Sequence, residues 1–214
     1  MLGLLLLLSY TIHSLSLSLS LSLNMPLQRP SPPTRIMAVA KTGVFTIDET
    51  IILPTTATRV EAEIDLGAYV DPGDNQALEV TRVDFIFQSE NGSNVVNTWL
   101  GQSFTGGGSV TAQLVSTNPS ALVFADDESL IASGNVCCHA SNFTQGIGSD
   151  LYPDQFGKPG SGYHLVNQAI WLQAQAYGGY AGANNPVATV RIHCRIVKLA
   201  TKDWMAIALE RSQD

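Results

Sequence analysis

The stretch Val190-Arg191-Ile192-His193-Cys194-Arg195-Ile196 alternates apolar and polar side chains without a break. Successive side chains of an extended chain point to opposite faces. The spacing therefore predicts a strand with Val190, Ile192, Cys194 and Ile196 turned toward a core and Arg191, His193 and Arg195 turned away from it. A helix would scatter the same apolar residues around its circumference.

Working outward, the same two-residue rhythm recurs. Toward the C-terminus it gives way to Thr201–Arg211, where Trp204, Ile207, Ala208 and Arg211 fall at helical spacing behind a Thr201 cap, which predicts one short terminal helix. Toward the N-terminus, a Gly178-Gly179 to Pro186 loop precedes it, and Tyr163–Ala176 reads as one long strand around Trp171 and Leu172. Arg59–Leu66 sets Val60, Ala62, Ile64 and Leu66 against Glu61, Glu63 and Asp65, the pattern of a sheet with one buried and one wet face. Ala77–Gln88 opens with Leu78 and Val80 in one phase and continues with Val83, Phe85 and Phe87 in the other. A phase change inside one strand predicts a β-bulge near Thr81 or Arg82.

Val44–Ile47, Val95–Leu100 and the run Val110, Ala112, Leu114 are further strands, the last following a flexible break at Gly106-Gly107-Gly108. Three shorter candidates are Ala121–Phe124, Ser129–Ser133 and Asn135–Ala140. Asp71-Pro72-Gly73-Asp74 and Asn91-Gly92 read as turns. Ser141–Gly162 has no periodicity and is long enough to serve as a binding or interface loop.

Eight or more strands with no long helix among them predict an all-β, antiparallel β-sandwich. The expected form is an eight-stranded jelly roll with a short C-terminal helix, and an immunoglobulin-like sandwich is the alternative.

The first 36 residues read differently. Leu2–Leu8 is an apolar run with no Lys or Arg before it, and Ser14–Leu23 is a strict Ser-Leu alternation, the product expected when a CT dinucleotide repeat is translated. Residues 1–36 are therefore expected to be a low-complexity leader outside the fold, with Met37 as the true start and residues 37–214 as one domain. A signal segment followed by a Pro-rich linker is the competing interpretation. The apolar run is far shorter than the ~20 residues of a spanning helix, so no transmembrane segment is expected.

The 214 residues are 45% apolar and only 14% charged, with a formal net charge of −7. That charge is unevenly spread. Residues 41–157 hold three basic and fifteen acidic residues, whereas 158–214 hold six basic and three acidic. An acidic body argues against broad nucleic-acid binding, which draws its affinity from Lys and Arg on phosphates, and leaves room only for a local contact. Three cysteines, Cys137, Cys138 and Cys194, make a poor disulfide framework and are expected to be reduced thiols in a core.

Few residues suggest chemistry. Gly-x-Ser-x-Gly, phosphate-loop and His-Glu-x-x-His motifs are missing, and the expectation is a protein that is not an enzyme. Cys137-Cys138-His139 and His193-Cys194 offer zinc-ligand types, although adjacent strand residues point opposite ways and core cysteines explain them as well. Asp71, Asp74 and Asn75 crowd hard oxygen ligands into one turn and are candidate calcium ligands, as are Asp126-Asp127-Glu128 and the pair Asp150 and Asp154; solvated turns are the plainer explanation. No other cofactor is expected.

The concentrated basic feature is Arg191, His193 and Arg195 with Lys198 and Lys202 nearby. It is a candidate interaction face for phosphate, or for an acidic ridge such as Glu61, Glu63 and Asp65 of another subunit. Asn91-Gly92-Ser93 and Asn142-Phe143-Thr144 fit the glycosylation pattern and matter only in a secreted protein.

This strand pattern over Val44–Leu199, with long polar loops, a kinked strand and a terminal appendage, resembles the single jelly-roll coat proteins of small icosahedral viruses. The resemblance implies a virion capsid protein that self-assembles as a homo-oligomer through loops, edges and termini. The matching segments would be Ser141–Gly162, the segment before Val44 and Thr201–Asp214. Many such coats carry a strongly basic N-terminal arm; only Arg29, Arg35 and Lys41 stand there in this chain, which fits a shell that leaves its genome to another component. The alternative from a different class is a secreted β-sandwich that binds carbohydrate or a cell surface, with Trp99, Tyr163 and Trp171 as its aromatics.

Overall fold

The computed structural model describes residues 38–53, 58–91, 96–97, 99–139, 141, 144–147, 162–180 and 184–210. The 1–36 leader and the Met37 start lie outside the described residues, as do most of the Ser141–Gly162 loop, the Asn91-Gly92 turn beyond Asn91, and Arg211.

Eleven strands are described: β1 (Ala38–Ala40), β2 (Phe45–Ile52), β3 (Val60–Asp65), β4 (Gln76–Glu90), β5 (Val96–Asn97), β6 (Phe104–Val115), β7 (Leu130–His139), β8 (Thr144–Ile147), β9 (Tyr163–Leu165), β10 (Ala169–Tyr180) and β11 (Asn185–Leu199). One helix, α1 (Thr201–Glu210), closes the described chain.

The strands form two antiparallel sheets. In the first, β2 and β1 lie along one side of β11, β4 along the other, and β9 and β5 beyond β4. The second runs β3-β10-β6-β7-β8. Setting aside the short β1, β5 and β8, the orders are 2-11-4-9 and 3-10-6-7. The first strand pairs with the last, and the chain crosses between sheets at nearly every connection, which is the arrangement of an eight-stranded jelly roll.

Between the sheets lies one apolar core. Leu78, Val80, Val190, Ile192 and Cys194 from the first sheet meet Ile64, Val110, Ala112, Leu114, Val136, Ile170 and Leu172 from the second. Each fully buried aliphatic side chain of this kind is worth about 1.5–3 kcal/mol relative to exposure. A smaller cluster sits on the opposite face of the first sheet, where Ala77, Val166, Val197 and Leu199 receive Ala38 from β1 and Trp204, Ile207 and Ala208 from α1.

The bulge falls where the phase change placed it. β11 pairs His193 with Arg82 but Cys194 with Val80, leaving Thr81 as the extra residue, and its hydroxyl donates to the His193 carbonyl at 3.0 Å. Both halves of β4 thereby keep their apolar side chains inward.

Other expectations need correction. Tyr163–Ala176 is not one strand. β9 pairs with β4 in the first sheet and β10 with β3 and β6 in the second, so the chain changes sheets at Val166-Asn167-Gln168. Gly106-Gly107-Gly108 lies inside β6 rather than breaking it. The glycines admit close neighbours: a Cβ on Gly108 would strike the Phe104 ring at 2.2 Å, and one on Gly178, at φ +121°, would meet the Gly107 carbonyl at 2.5 Å.

Ser129–Ser133 and Asn135–Ala140 merge into the single strand β7, and Ala121–Phe124 is not a strand. Within Val95–Leu100 the described strand is Val96–Asn97, and Leu100–Ser103 forms a turn of 3-10 helix. Thr201 does not cap α1: it is the first helical residue, and its hydroxyl accepts from the Asn75 side-chain amide at 3.2 Å.

Candidate interaction surfaces

The basic ridge is built by β11 alternation, and its neighbours in register decide its electrostatics. Arg191 sits between Asp48 of β2 and Asp84 of β4, His193 between Thr46 and Arg82, and Arg195 beside Glu79. Arg191 makes a two-point contact with Asp48 at 2.9 and 3.2 Å, which raises the guanidinium pKa above its ordinary value. Asp84 takes Arg82 at 2.6 Å on one oxygen and His193 Nε2 at 2.9 Å on the other. Every member of the ridge is matched by a carboxylate of its own sheet, so the outer face is a charge ladder rather than a positive stripe.

The lower end of the ladder is buried. Glu79 is 0% exposed, and Arg195 reaches it with Nε at 2.8 Å and Nη2 at 3.3 Å. The Gly162 amide donates to the same carboxylate at 2.9 Å. Burial pushes the Glu79 carboxyl upward, but the Arg195 and Gly162 hydrogen bonds outweigh it and hold the group below its ordinary value. Gly162 has no room for a side chain, since a Cβ would lie 2.4 Å from the Val80 carbonyl. The pair thus fixes the end of the Ser141–Gly162 loop against β4.

Lys198 does not belong to this ridge, contrary to the sequence expectation. Its even number puts it on the Ile196 side of β11, and it joins Lys41 on the Asp74 carboxylate. Two ammonium groups hold the Asp74 carboxyl down at about 2. Lys41 also donates to Gln76 Oε1 at 2.9 Å.

The candidate calcium ligands of this turn are therefore engaged by protein donors. Asp71 accepts from the Gly73 amide at 2.8 Å as it caps Pro72–Asp74, and Asp74 carries the lysines. Calcium entering here would have to displace Lys41 and Lys198. Asp127 accepts from the Ser129 amide at 2.9 Å, and Asp150 and Asp154 lie outside the described residues. Among the described residues, no three His, Cys, Asp or Glu side chains converge as a metal site.

The zinc-type residues are separated by the sandwich. Cys138 and Cys194 are inward and buried, whereas Cys137 is exposed on the outer side of β7 and His193 lies on the outer side of the other sheet. Burial raises the Cys194 thiol to about 12, so it stays protonated. Of the aromatics, Tyr163 packs against the core, Trp171 stands on the outer side of β10 between Glu63 and Val115, and the Trp99 ring lies over Gly101. They do not share a face.

A second surface escaped the sequence reading. Part of the outer side of the second sheet, over Gln113 of β6 and Gln173 of β10, is covered by the segment 116–129, held by an amide network. Gln113 of β6 donates to the Val123 carbonyl at 2.8 Å and accepts from the Val123 amide at 2.9 Å. Gln173 of β10, 0% exposed, donates to Gln113 at 3.0 Å and accepts from Arg59 at 2.8 Å. Arg59 in turn pairs with Glu61, which also accepts from Asn118 at 3.2 Å. Glu61 is thus tied into its own molecule. The residue after the clamped Val123 is Phe124, 84% exposed.

No family model matches the sequence, and no curated protein matches it either. Among solved structures, VP1 of Trichodysplasia spinulosa-associated polyomavirus, in complex with sialylated precision glycooligomers, is 9% identical. That alignment covers 76% of this chain and 99% of that chain at a TM-score of 0.32. Desmodium yellow mottle tymovirus is likewise 9% identical, covering 81% of this chain and 97% of that chain at a TM-score of 0.32. These neighbours are viral capsid proteins, the class that the strand pattern resembles. At such identities and scores the likeness carries no functional argument, and the jelly-roll assignment stands on the chain's own strand order.

Proposed function

We propose that the chain is a structural coat protein of a virion, assembling with copies of itself through loops, sheet edges and terminal segments. The observation that supports this is where large apolar side chains stand in solvent. Phe124 of the covering segment is 84% exposed, Ile147 of the outermost strand β8 74%, Val39 of β1 69% and Leu209 of α1 60%. A single exposed apolar residue needs no explanation, but here they fall on the loop, edge and terminal elements that a tiling domain uses for contact.

Charge supports a shell that leaves its genome to another component. Arg59, Arg82, Arg191, Arg195, Lys41 and Lys198 all form ion pairs within the domain, so these cations are already matched before any phosphate arrives.

Electron microscopy and light scattering of the purified chain test the proposal. Salt, pH and calcium are the variables, calcium because Asp71 and Asp74 are its candidate ligands. Closed particles or regular oligomers are expected in at least one condition. A strictly monomeric species throughout would sink the proposal.

A further inference from the structure

The segment 116–129 turns its largest apolar side chain outward. Phe124 is 84% exposed, yet Gln113 holds the preceding residue, Val123, through both its amide and its carbonyl, so the ring stands on an anchored segment. A ring displayed in this way loses little freedom when a partner covers it. The Phe124 carbonyl accepts from the Asp127 amide at 3.2 Å, which closes a turn and keeps the two residues within ~7 Å. Beside that turn, Thr117, Pro119, Asp127, Glu128 and Ser129 line a surface cavity of about 310 Å³. The Ser129 amide orients the Asp127 carboxylate at 2.9 Å, and Glu128 is exposed. An occupant of this surface has to bring an apolar patch and a cation a short distance apart.

The chain itself offers that combination. Among the described residues, six Lys and Arg side chains are engaged in ion pairs within the domain, and Lys202 is in none of them. At ~100° per residue, Lys202, Met205 and Leu209 fall within ~60° of one another on α1, away from the Trp204, Ile207 and Ala208 side that packs on the first sheet. All three are exposed, Met205 at 53% and Leu209 at 60%. One helical turn, ~5 Å, separates Lys202 from Met205, which is comparable with the span from Asp127 to Phe124. The two surfaces cannot meet within one chain, because α1 lies on the outer side of the first sheet and the 116–129 segment on the outer side of the second. They can meet only between copies, head to tail.

We infer that the Phe124 turn and its acidic cavity are a docking site for helix α1 of a second copy of this chain. Lys202 of that copy enters the cavity beside Asp127 and Glu128, while its Met205 and Leu209 pack on the Phe124 ring, where a thioether is a favourable neighbour. Such a contact is heterologous: each copy keeps one half of it unused, and rings or open chains follow. The patch is far smaller than the ~1,200 Å² of a stable interface, so one contact is weak, concentration-dependent and sensitive to salt. It requires two chains and no shell, and so does not depend on the coat proposal.

Sedimentation of the full chain at low ionic strength tests it. Lys202→Glu and Glu128→Lys, both at exposed positions, should each keep the circular dichroism spectrum and weaken self-association about tenfold or more, and Phe124→Ala should do the same. An equal mixture of the Lys202→Glu and Glu128→Lys chains should associate again, because the first retains the native cavity and the second the native helix.

Unchanged association in any of the three variants would overturn the contact, as would a mixture that stays monomeric. So would a native chain that is monomeric at the highest attainable concentration, or one that stays monomeric and instead binds poly-L-lysine through this turn. Shells formed by Lys202→Glu alone would leave the coat proposal standing and this one refuted. Association restored by mixing that never closes into particles would do the reverse.

Discussion

The two outer faces of the sandwich follow one sequence rule and meet opposite fates. On both, polar residues alternate with the core positions. Over β2, β11 and β4 they are charged, paired across strands and largely in contact with water. Over β10 and β6 the corresponding positions are Gln173 and Gln113, sealed beneath the segment 116–129. The difference teaches that alternation fixes which way a side chain points, while burial is set by what the rest of the chain lays over it. Neutral amides can be sealed because each donor and acceptor finds a partner at modest desolvation cost, whereas carboxylates and guanidiniums stay near solvent unless matched in detail.

Glu79–Arg195 is the exception on the charged face, and breaking it should give the largest effect. Arg195→Met leaves a buried carboxylate without its partner and is expected to destabilise the fold by about 3–5 kcal/mol in denaturant titration. The pH dependence should invert as well. In the native chain the Glu79 pKa is depressed, so the stability it contributes is present above the ordinary value of 4.5 and lost as pH falls through the depressed one. In Arg195→Met, burial acts with less opposition and raises the pKa, so mild acid should stabilise the variant relative to neutral pH. Thermal melts from pH 3 to 7 decide this; parallel acid limbs for both proteins would refute the assignment.

Gln113→Ala probes the other face. It removes both hydrogen bonds to Val123 and the one from Gln173, and a loss of about 3 kcal/mol is expected. Amide exchange should accelerate at Val123 before the core strands respond. An unchanged Val123 amide would show that the covering segment is held by something other than the clamp.

Arg191→Ala should have the smallest effect. Its partner Asp48 is exposed, and such pairs are nearly balanced by hydration and side-chain freedom. An unfolding midpoint indistinguishable from the native chain is expected, and a clear drop would mean that the exposed part of the ladder contributes to stability after all.

Much of the sandwich was legible from alternation alone. β11, β3 and both phases of β4 are readable because each apolar residue declares its side, and the switch between Val80 and Val83 leaves room only for an extra residue. The β9–β10 corner was not readable, since apolar residues continue through Leu165, Val166 and Ile170, and the change of sheet is decided by pairing to β4 and β3, which lie far off in sequence. For the candidate surfaces, the ridge was readable as a row of cations, but its neutralisation was not. Asp48, Asp84 and Glu79 become its neighbours through register, more than a hundred residues away in the chain. The Gln113 clamp was hidden for a simpler reason: a polar residue on an outer face reads as solvated until a covering segment is known.

The extra residue in β4 also sets the arithmetic of permissible length change. Thr81 adds one to an alternating count, so a chain without Thr81 would run Leu78, Val80, Val83, Phe85 and Phe87 in one unbroken alternation, with Val80 still opposite Cys194 and Arg82 opposite His193. Loss of Thr81 together with Arg82 would instead set Val80 beside Val83 and turn one half of the strand toward solvent. Shortening of this strand should therefore be tolerated by one residue and not by two, and that spare count is written into the domain at one threonine.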